Sequence, residues 1–126
     1  MKKIITTDKA PAPIGPYNQA TLVGNTLYTS GQIAINPANG ELILDDITIE
    51  TKQVMENIKA VLEAAEMTFE NIAKTSIFIS DMKNFAAINE VYATYFNEAT
   101  APARETVEVA NLPKYVNVEI SVIAVK

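Results

Sequence analysis

The spacing of the hydrophobic residues changes along the chain, and this change constrains the fold more than any other feature. In one central segment, apolar residues recur every three or four positions, as in a helix buried on one side, at Val54, Ile58, Val61, Leu62 and Ala65. This pattern predicts a helix over about 48–66, with Asp46 or Thr48 as its N-terminal cap. Charged residues lie at positions between the apolar ones, among them Glu50, Lys52, Glu56, Lys59 and Glu63.

Helical spacing returns later in the chain and predicts a second helix over about 84–98. Its apolar stripe consists of Phe85, Ile88, Tyr92, Tyr95 and Phe96, and we expect these aromatic residues to belong to the core. Asn89 is a polar residue within this segment. From spacing alone, a solvent-facing position is a more common role for such an asparagine than a ligand-binding one.

The segments around the two helices have the composition and alternation of β-strands. A glycine–asparagine pair, Gly24-Asn25, indicates a tight hairpin turn between two of them. Three prolines and one glycine in residues 10–16 predict a rigid loop that cannot be helical. The predicted strands cover residues 2–6, 17–23, 26–30, 73–80, 103–110 and 116–125.

The resulting order, ββ(β)αβαββ, is typical of an α+β fold in one domain over residues 1–126. Both helices are expected to cover one face of a mostly antiparallel or mixed sheet. Several residues on the other face are apolar, and an apolar sheet face left in water promotes aggregation. We therefore expect an obligate oligomer that buries this second face between subunits.

Composition excludes several classes of function. The chain has no histidine and no cysteine, so catalysis by an imidazole or a thiolate is excluded, as are disulfides and thiolate zinc sites. A net charge of −5 with scattered lysines disfavours a nucleic-acid partner. We find no signal peptide, membrane span, P-loop, dinucleotide fingerprint or convincing metal constellation, and we expect a cytoplasmic protein without a cofactor.

Two charged residues stand out as candidates for chemistry. Arg104 is the only arginine, and a guanidinium grips a carboxylate in a bidentate way that lysine cannot reproduce. Glu119 lies within a strongly apolar strand, where a carboxylate is costly unless it is paired or functional. The residues alone leave both roles open, since Arg104 could form a surface or subunit-bridging salt bridge and Glu119 could be an ion-pair partner or face solvent. Alternation places Glu105 on the opposite face of its strand from Arg104.

Four runs, taken together in their order and spacing, resemble the RidA/YjgF family of reactive intermediate deaminases over nearly the whole chain. The first two are residues 10–20, APAPIGPYNQA, and residues 28–32, YTSGQ. The third is residues 85–92, FAAINEVY, continuing to Tyr95 and Phe96. The fourth is residues 101–110, APARETVEVA, followed by Leu112-Pro113 and by Val118, Glu119 and Ile120.

The resemblance implies a RidA-like domain with the chorismate-mutase-like fold, assembled as a homotrimer with clefts between its subunits. It implies a 2-iminobutanoate/2-iminopropanoate deaminase that hydrolyses reactive enamines and imines, such as 2-aminoacrylate, to 2-keto acids and ammonia. Imine hydrolysis starts from an electrophilic carbon, so a positioned water and one carboxylate can suffice without histidine or cysteine.

The resemblance also assigns roles to individual residues. Arg104 matches the arginine that holds the substrate carboxylate, and Glu119 matches the glutamate that positions or activates water. Positions that line the cleft in the family correspond to Tyr17, Ser30, Gly31, Asn89 and Thr106. The chain departs from many relatives at Asn18, Glu105 and Thr106, and these positions bear on which substrate side chain is preferred.

Two other functions compete with the deaminase. One is a trimer that binds keto acids or client proteins without catalysis. The other is a ribonuclease or translation inhibitor, against which the acidic charge and the missing histidine weigh.

Overall fold

The computed structural model describes residues 1–126 and contains six strands and two α-helices, together with short 3-10 turns. The order of elements along the chain is the predicted one, with three strands before the first helix. The strands are β1 (Lys2–Ile5), β2 (Ala20–Val23), β3 (Thr26–Thr29), β4 (Ile72–Ile79), β5 (Ala103–Glu108) and β6 (Val118–Val125), and the helices are α1 (Ile47–Ala64) and α2 (Phe85–Ala93).

All six strands form one mixed sheet in the order β1-β2-β3-β6-β4-β5. The only parallel pair is β4 with β5, and helix α2 connects these two strands. Every other neighbouring pair is antiparallel. The two final strands, β5 and β6, are consecutive in sequence but are not neighbours in the sheet, because β4 lies between them.

One face of the sheet packs against the helices and forms the core. Strand β6 alternates strictly, with Val118, Ile120, Val122 and Ala124 buried and the residues between them partly exposed. The predicted apolar stripe of α1 is buried against this face, as expected. Glu50 is an exception to the predicted polar face of α1, because its side chain is fully buried, and Thr51 and Asn57 are buried as well.

Helix α1 is closed at both ends by local hydrogen bonds. The side chain of Asp46 caps its first turn by accepting a hydrogen bond from the Ile49 N–H at 2.8 Å. After Ala64 the chain reverses through a left-handed residue, Glu66, with φ of 58°. The Met67 N–H then donates to the Leu62 carbonyl at 2.9 Å, as in a Schellman motif. The helix therefore ends before the predicted residue 66.

Helix α2 is shorter than the predicted 84–98. Beyond Ala93 the backbone continues in tighter turns, in which the N–H groups of Thr94, Tyr95 and Phe96 each bond a carbonyl three residues earlier. Asn97 then caps a separate 3-10 turn by accepting from the Ala99 N–H. The aromatic stripe survives this change, because Tyr92 is buried and the two later aromatic side chains pack against Phe69.

The opposite face of the sheet is open. It carries large apolar side chains from all six strands, and the most exposed are Ile4, Val23, Tyr28, Val107 and Val125. The expected apolar second face is therefore present, and nothing within the chain covers it. Neither helix is long and apolar enough to cross a membrane.

Replacing Glu66 with glycine should stabilise the protein. A side chain strains the left-handed conformation at this position, and glycine removes that strain, so we expect a gain of about 0.5–1 kcal/mol. The matched control is Glu63→Gly, which places glycine inside the same exposed helical turn and should cost about 1 kcal/mol. Urea unfolding of both variants measures the two free energies, and equal losses would contradict the strain at Glu66.

Candidate functional site

The proline-rich loop over residues 10–16 is held in place by one buried glutamine. The Gln19 side chain is 2% exposed. Its amide nitrogen donates to the Thr7, Ala10 and Pro11 carbonyls, and its oxygen accepts from the Thr7 N–H at 2.7 Å. All four contacts join segments that lack regular structure, so one side chain gives this loop a defined shape.

This loop forms one wall of a cleft of about 500 Å³. Tyr17 lies in this wall, and its hydroxyl accepts a hydrogen bond from the Ile14 N–H at 3.2 Å. Ser30 and Gly31, which directly follow β3, also line the cleft. The Ser30 hydroxyl donates to the Asn18 carbonyl at 2.5 Å, which ties the end of β3 to the chain that follows the loop.

Glu119 projects into the same cleft from the open face of the sheet. Its carboxyl group is packed over Gly31 so closely that a Cβ atom on residue 31 would lie 2.5 Å from its Oε2 atom. Any larger residue at position 31 would therefore force the Glu119 side chain to move. Glu119 forms no hydrogen bond or salt bridge within the chain, and its partial burial raises the pKa of the carboxyl group above its ordinary value.

Arg104 lies elsewhere, on the helix side of the edge strand β5. Its Nη1 atom donates to Asn89 Oδ1 on helix α2 at 2.7 Å. The guanidinium carbon is 4.9 Å from the centre of the Tyr92 ring and 5.7 Å from that of Phe85. Two aromatic faces and one amide thus fix the guanidinium without neutralising its charge. Asn89 contacts Arg104 and is not simply a solvent-facing residue.

No carboxylate pairs with Arg104 within the chain. The neighbouring Glu105 points to the other face of β5, as alternation predicts, where it forms a salt bridge with Lys74 at 2.9 Å. Glu105 also accepts a short hydrogen bond from Ser76, and this bond, followed by the contact with Lys74, holds the pKa of its carboxyl group below the ordinary value. Most of the donors of the Arg104 guanidinium therefore remain available to an anion.

Thr106 lies on the same side of β5 as Arg104, two residues further along. Its hydroxyl oxygen is buried and has no hydrogen-bond partner. Buried hydroxyl groups are normally satisfied, so this unpaired one is an exception within the chain.

The seven predicted site residues therefore form two groups within one chain. Tyr17, Ser30, Gly31 and Glu119 line the cleft. Arg104 bonds Asn89 of helix α2 instead, and Thr106 lies on the same face of β5 as Arg104. Strand β4 separates β6, which carries Glu119, from β5, which carries Arg104, and the two side chains project from opposite faces of the sheet. One chain does not bring Arg104 and Glu119 together.

Sequence reasoning missed two features of the cleft. Gln19 organises the loop. Its position between a proline-rich loop and a strand could have indicated that its side chain bonds the loop backbone. Lys114 also lines the cleft. It lies in a turn where Lys114 and Tyr115 both have φ of 56°, a left-handed conformation that side chains rarely adopt. No local pattern of residues predicts that conformation.

The two groups are chemically complementary. One offers an available guanidinium, which suits a small carboxylate. The other offers a carboxylate of raised pKa in a cleft, which suits the positioning of water and the acceptance of a proton. Neither group contains a nucleophilic thiol or an imidazole.

Comparisons with known proteins agree on one family. The family model described as Endoribonuclease L-PSP matches residues 7–126. A RutC family protein of Pyrococcus horikoshii is 52% identical over 126 residues, which cover 100% of this chain and 99% of that protein. A mouse protein named 2-iminobutanoate/2-iminopropanoate deaminase is 44% identical over 126 residues, covering 100% of this chain and 93% of the mouse protein.

Solved structures give the same result for the fold. The crystal structure of the Escherichia coli YjgF gene product is similar with a TM-score of 0.92 and 46% identity, covering 98% of both chains. The structure of Escherichia coli TdcF with bound serine has a TM-score of 0.92 and 44% identity, again covering 98% of both chains. These similarities confirm the predicted fold, and the chain belongs to the RidA/YjgF family.

Proposed function

We propose that this protein hydrolyses 2-imino acids, and their enamine tautomers, to 2-keto acids and ammonia. The observation that carries the proposal is the division of the site into an unpaired guanidinium, Arg104, and an unpaired carboxylate of raised pKa, Glu119. A 2-imino acid needs both groups, one for its carboxylate and one for the water that attacks it. The named activity of the mouse relative and the serine bound to TdcF support this class of substrate.

Arg104 would grip the substrate carboxylate. Asn89 and the two aromatic rings already fix the guanidinium, so little side-chain freedom is lost when an anion binds. The Thr106 hydroxyl lies on the same side of the strand, with no partner in the chain. Holding the substrate in this way would place its imine carbon at a defined distance from the Glu119 carboxylate, as catalysis by positioning requires.

Glu119 would act on water. The carboxylate accepts a proton from the water as its oxygen attacks the electrophilic carbon of the C=N bond, which gives a tetrahedral carbinolamine. The proton is then passed to the nitrogen. As the C–N bond breaks, the hydroxyl proton of the carbinolamine is also transferred to the nitrogen, so that ammonia leaves while the C=O bond of the keto acid forms. The raised pKa makes Glu119 a stronger base than an ordinary carboxylate, which favours this transfer near neutral pH.

The complete site would require two copies of the chain. Arg104 is on the edge strand and on the helix face, whereas Glu119 is central and on the open face. A neighbouring copy that covers the open apolar face would carry its edge strand toward the cleft of the first copy. A closed homotrimer would give three equivalent sites in this way and would bury the exposed apolar side chains.

Removing the guanidinium should greatly reduce catalysis. A charge-assisted contact with a carboxylate contributes about 1.5–3 kcal/mol, so we expect Arg104→Ala to lower kcat/KM by roughly 10- to 150-fold. Arg104→Lys keeps the charge and should still lose most of this, because lysine has no planar fork. Decay of 2-aminoacrylate, generated by a dehydratase, measures both variants, and unchanged rates would exclude the carboxylate grip.

Glu119→Gln should lower kcat while leaving 2-keto acid binding largely intact. In the wild-type protein kcat should rise with pH as Glu119 loses its proton, with a midpoint above that of an ordinary carboxyl group because the pKa is raised. The variant should lack this rise. The pH dependence of kcat tests the role of Glu119 in turnover, and calorimetric titration with 2-ketobutyrate tests whether the variant still binds a 2-keto acid. Keto-acid binding by a wild-type protein that does not accelerate imine loss would favour the non-catalytic trimer.

Mixing two inactive variants should restore activity if each site combines two copies. In a cyclic trimer that randomly mixes Arg104→Ala and Glu119→Gln chains, each mixed trimer has one junction with both wild-type residues, so about a quarter of wild-type activity should return. The chains are co-expressed with different affinity tags and compared with each homotrimer alone. No recovery in trimers that carry both tags would show that the site is not shared between copies.

A further inference from the structure

A buried carboxylate outside the candidate site grips the start of the strand that carries Glu119. Glu50, near the start of helix α1, has a fully buried side chain. Its Oε2 atom accepts hydrogen bonds from the Asn117 N–H at 2.8 Å and from the Val118 N–H at 3.2 Å. Its Oε1 atom accepts from the Asn117 side-chain amide at 2.7 Å.

No cation accompanies this buried carboxylate. The only salt bridge in the chain joins Lys74 to Glu105, on the other face of the sheet. Three N–H donors and the positive end of the helix dipole are what stabilise the Glu50 side chain. All three donors belong to Asn117 and Val118, so the stabilisation depends on the position of one short backbone segment.

That segment connects a strained turn of the cleft to its catalytic candidate. Lys114 and Tyr115 both have φ of 56°, and Pro113 and Lys114 line the cleft just before the segment. Strained backbone of this kind persists only where the surrounding contacts fix it. Residue 119 follows the segment directly, so a change at the start of β6 would move the Glu119 carboxylate.

A second contact fixes the backbone on the far side of Glu119. Gln32 and Ile120 exchange two backbone hydrogen bonds, of 2.8 and 3.1 Å. Gln32 follows Gly31, over which the Glu119 carboxyl group is packed. Glu119 is thus bracketed by the Glu50 contacts before it and by the Gln32 bridge after it.

We infer that Glu50 is a positioning residue for the reaction, which sets the place of the Glu119 carboxylate by fixing the backbone of Asn117 and Val118. The inference rests on the proposed function for its effect on turnover. The hydrogen bonds from Asn117 and Val118 to Glu50 form a clamp on the start of β6. This clamp is a property of the fold and does not depend on which substrate is used. Arg104 grips the substrate from elsewhere, so loss of the clamp should affect turnover more than binding.

The test uses two variants of Glu50 in the full-length protein. Glu50→Met fills a similar volume but removes both acceptor oxygens. Glu50→Gln keeps one oxygen for the two backbone N–H groups, while its amide nitrogen is satisfied when the Asn117 amide turns over. Glu56→Gln is the matched control on the same helix, because its carboxylate bonds only the Tyr95 hydroxyl and lies away from β6. Should Glu50→Met fail to fold, Asn117→Ala removes the 2.7 Å contact, together with a 3.4 Å hydrogen bond from the Ser80 hydroxyl, and should give the same pattern with smaller amplitude.

Two readouts are measured, amide hydrogen exchange and steady-state kinetics. In Glu50→Met, exchange at residues 112–119 should accelerate by about tenfold or more, while the rest of β6 keeps its protection. Its kcat should fall on the order of 10- to 100-fold with KM within about threefold of wild type. Glu50→Gln should recover most of both values, and Glu56→Gln should match wild type.

Several outcomes would overturn the inference. These are unchanged exchange at residues 112–119, faster exchange spread evenly over the chain, unchanged kcat, or a Glu50→Gln variant as impaired as Glu50→Met. A loss expressed only as a higher KM would also overturn it. If the wild-type protein fails to hydrolyse imines while exchange behaves as expected, the proposed function is wrong and the structural clamp stands.

Discussion

Burial of one face of the sheet against helices α1 and α2 fixes the side to which every strand residue points. Because side chains alternate along a strand, the apolar residues of β6 force Glu119 onto the open face. The same rule puts Arg104 under helix α2 and Glu105 on the open face. The division of the candidate site is therefore a consequence of core packing, and a single chain could not undo it without exposing its core.

Buried polar side chains fix the backbone segments around the cleft that the sheet alone does not hold in place. Gln19 shapes the proline-rich loop, and Glu50 holds the start of β6. Asn57 plays a comparable part, since its amide donates to the carbonyls of Ile33 and Ile35 in a stretch without regular structure. In each case a buried side chain satisfies backbone groups of an irregular segment or of a strand end, which otherwise would be buried without partners.

Much of the fold followed from residue patterns, because long periodic segments respond mainly to burial. The stripe from Val54 to Ala65 predicted α1, and the Gly24-Asn25 turn predicted the hairpin of β2 and β3. The errors arose where contacts between distant parts of the chain decide whether a residue is buried or which strands are neighbours. Glu50 looked like a surface residue because its three donors come from a segment 67 residues away. The order of strands was also beyond local patterns, since nothing in β5 or β6 indicates that β4 separates them. Arg104 and Glu119 stood out by residue type and position, whereas the other site residues and all the assigned roles came from the family resemblance. The structure then separated these residues into two groups.

The exposed and unpaired state of Arg104 has a chemical consequence. The chain contains a single guanidinium and no thiol, so a dicarbonyl reagent that reacts with arginine would have one possible target in each copy. Asn89 and the ring of Tyr92 hold that target at the edge of the sheet. The molecule thus carries a built-in, stoichiometric label site, and a thiol introduced anywhere else would provide a second label of independent chemistry.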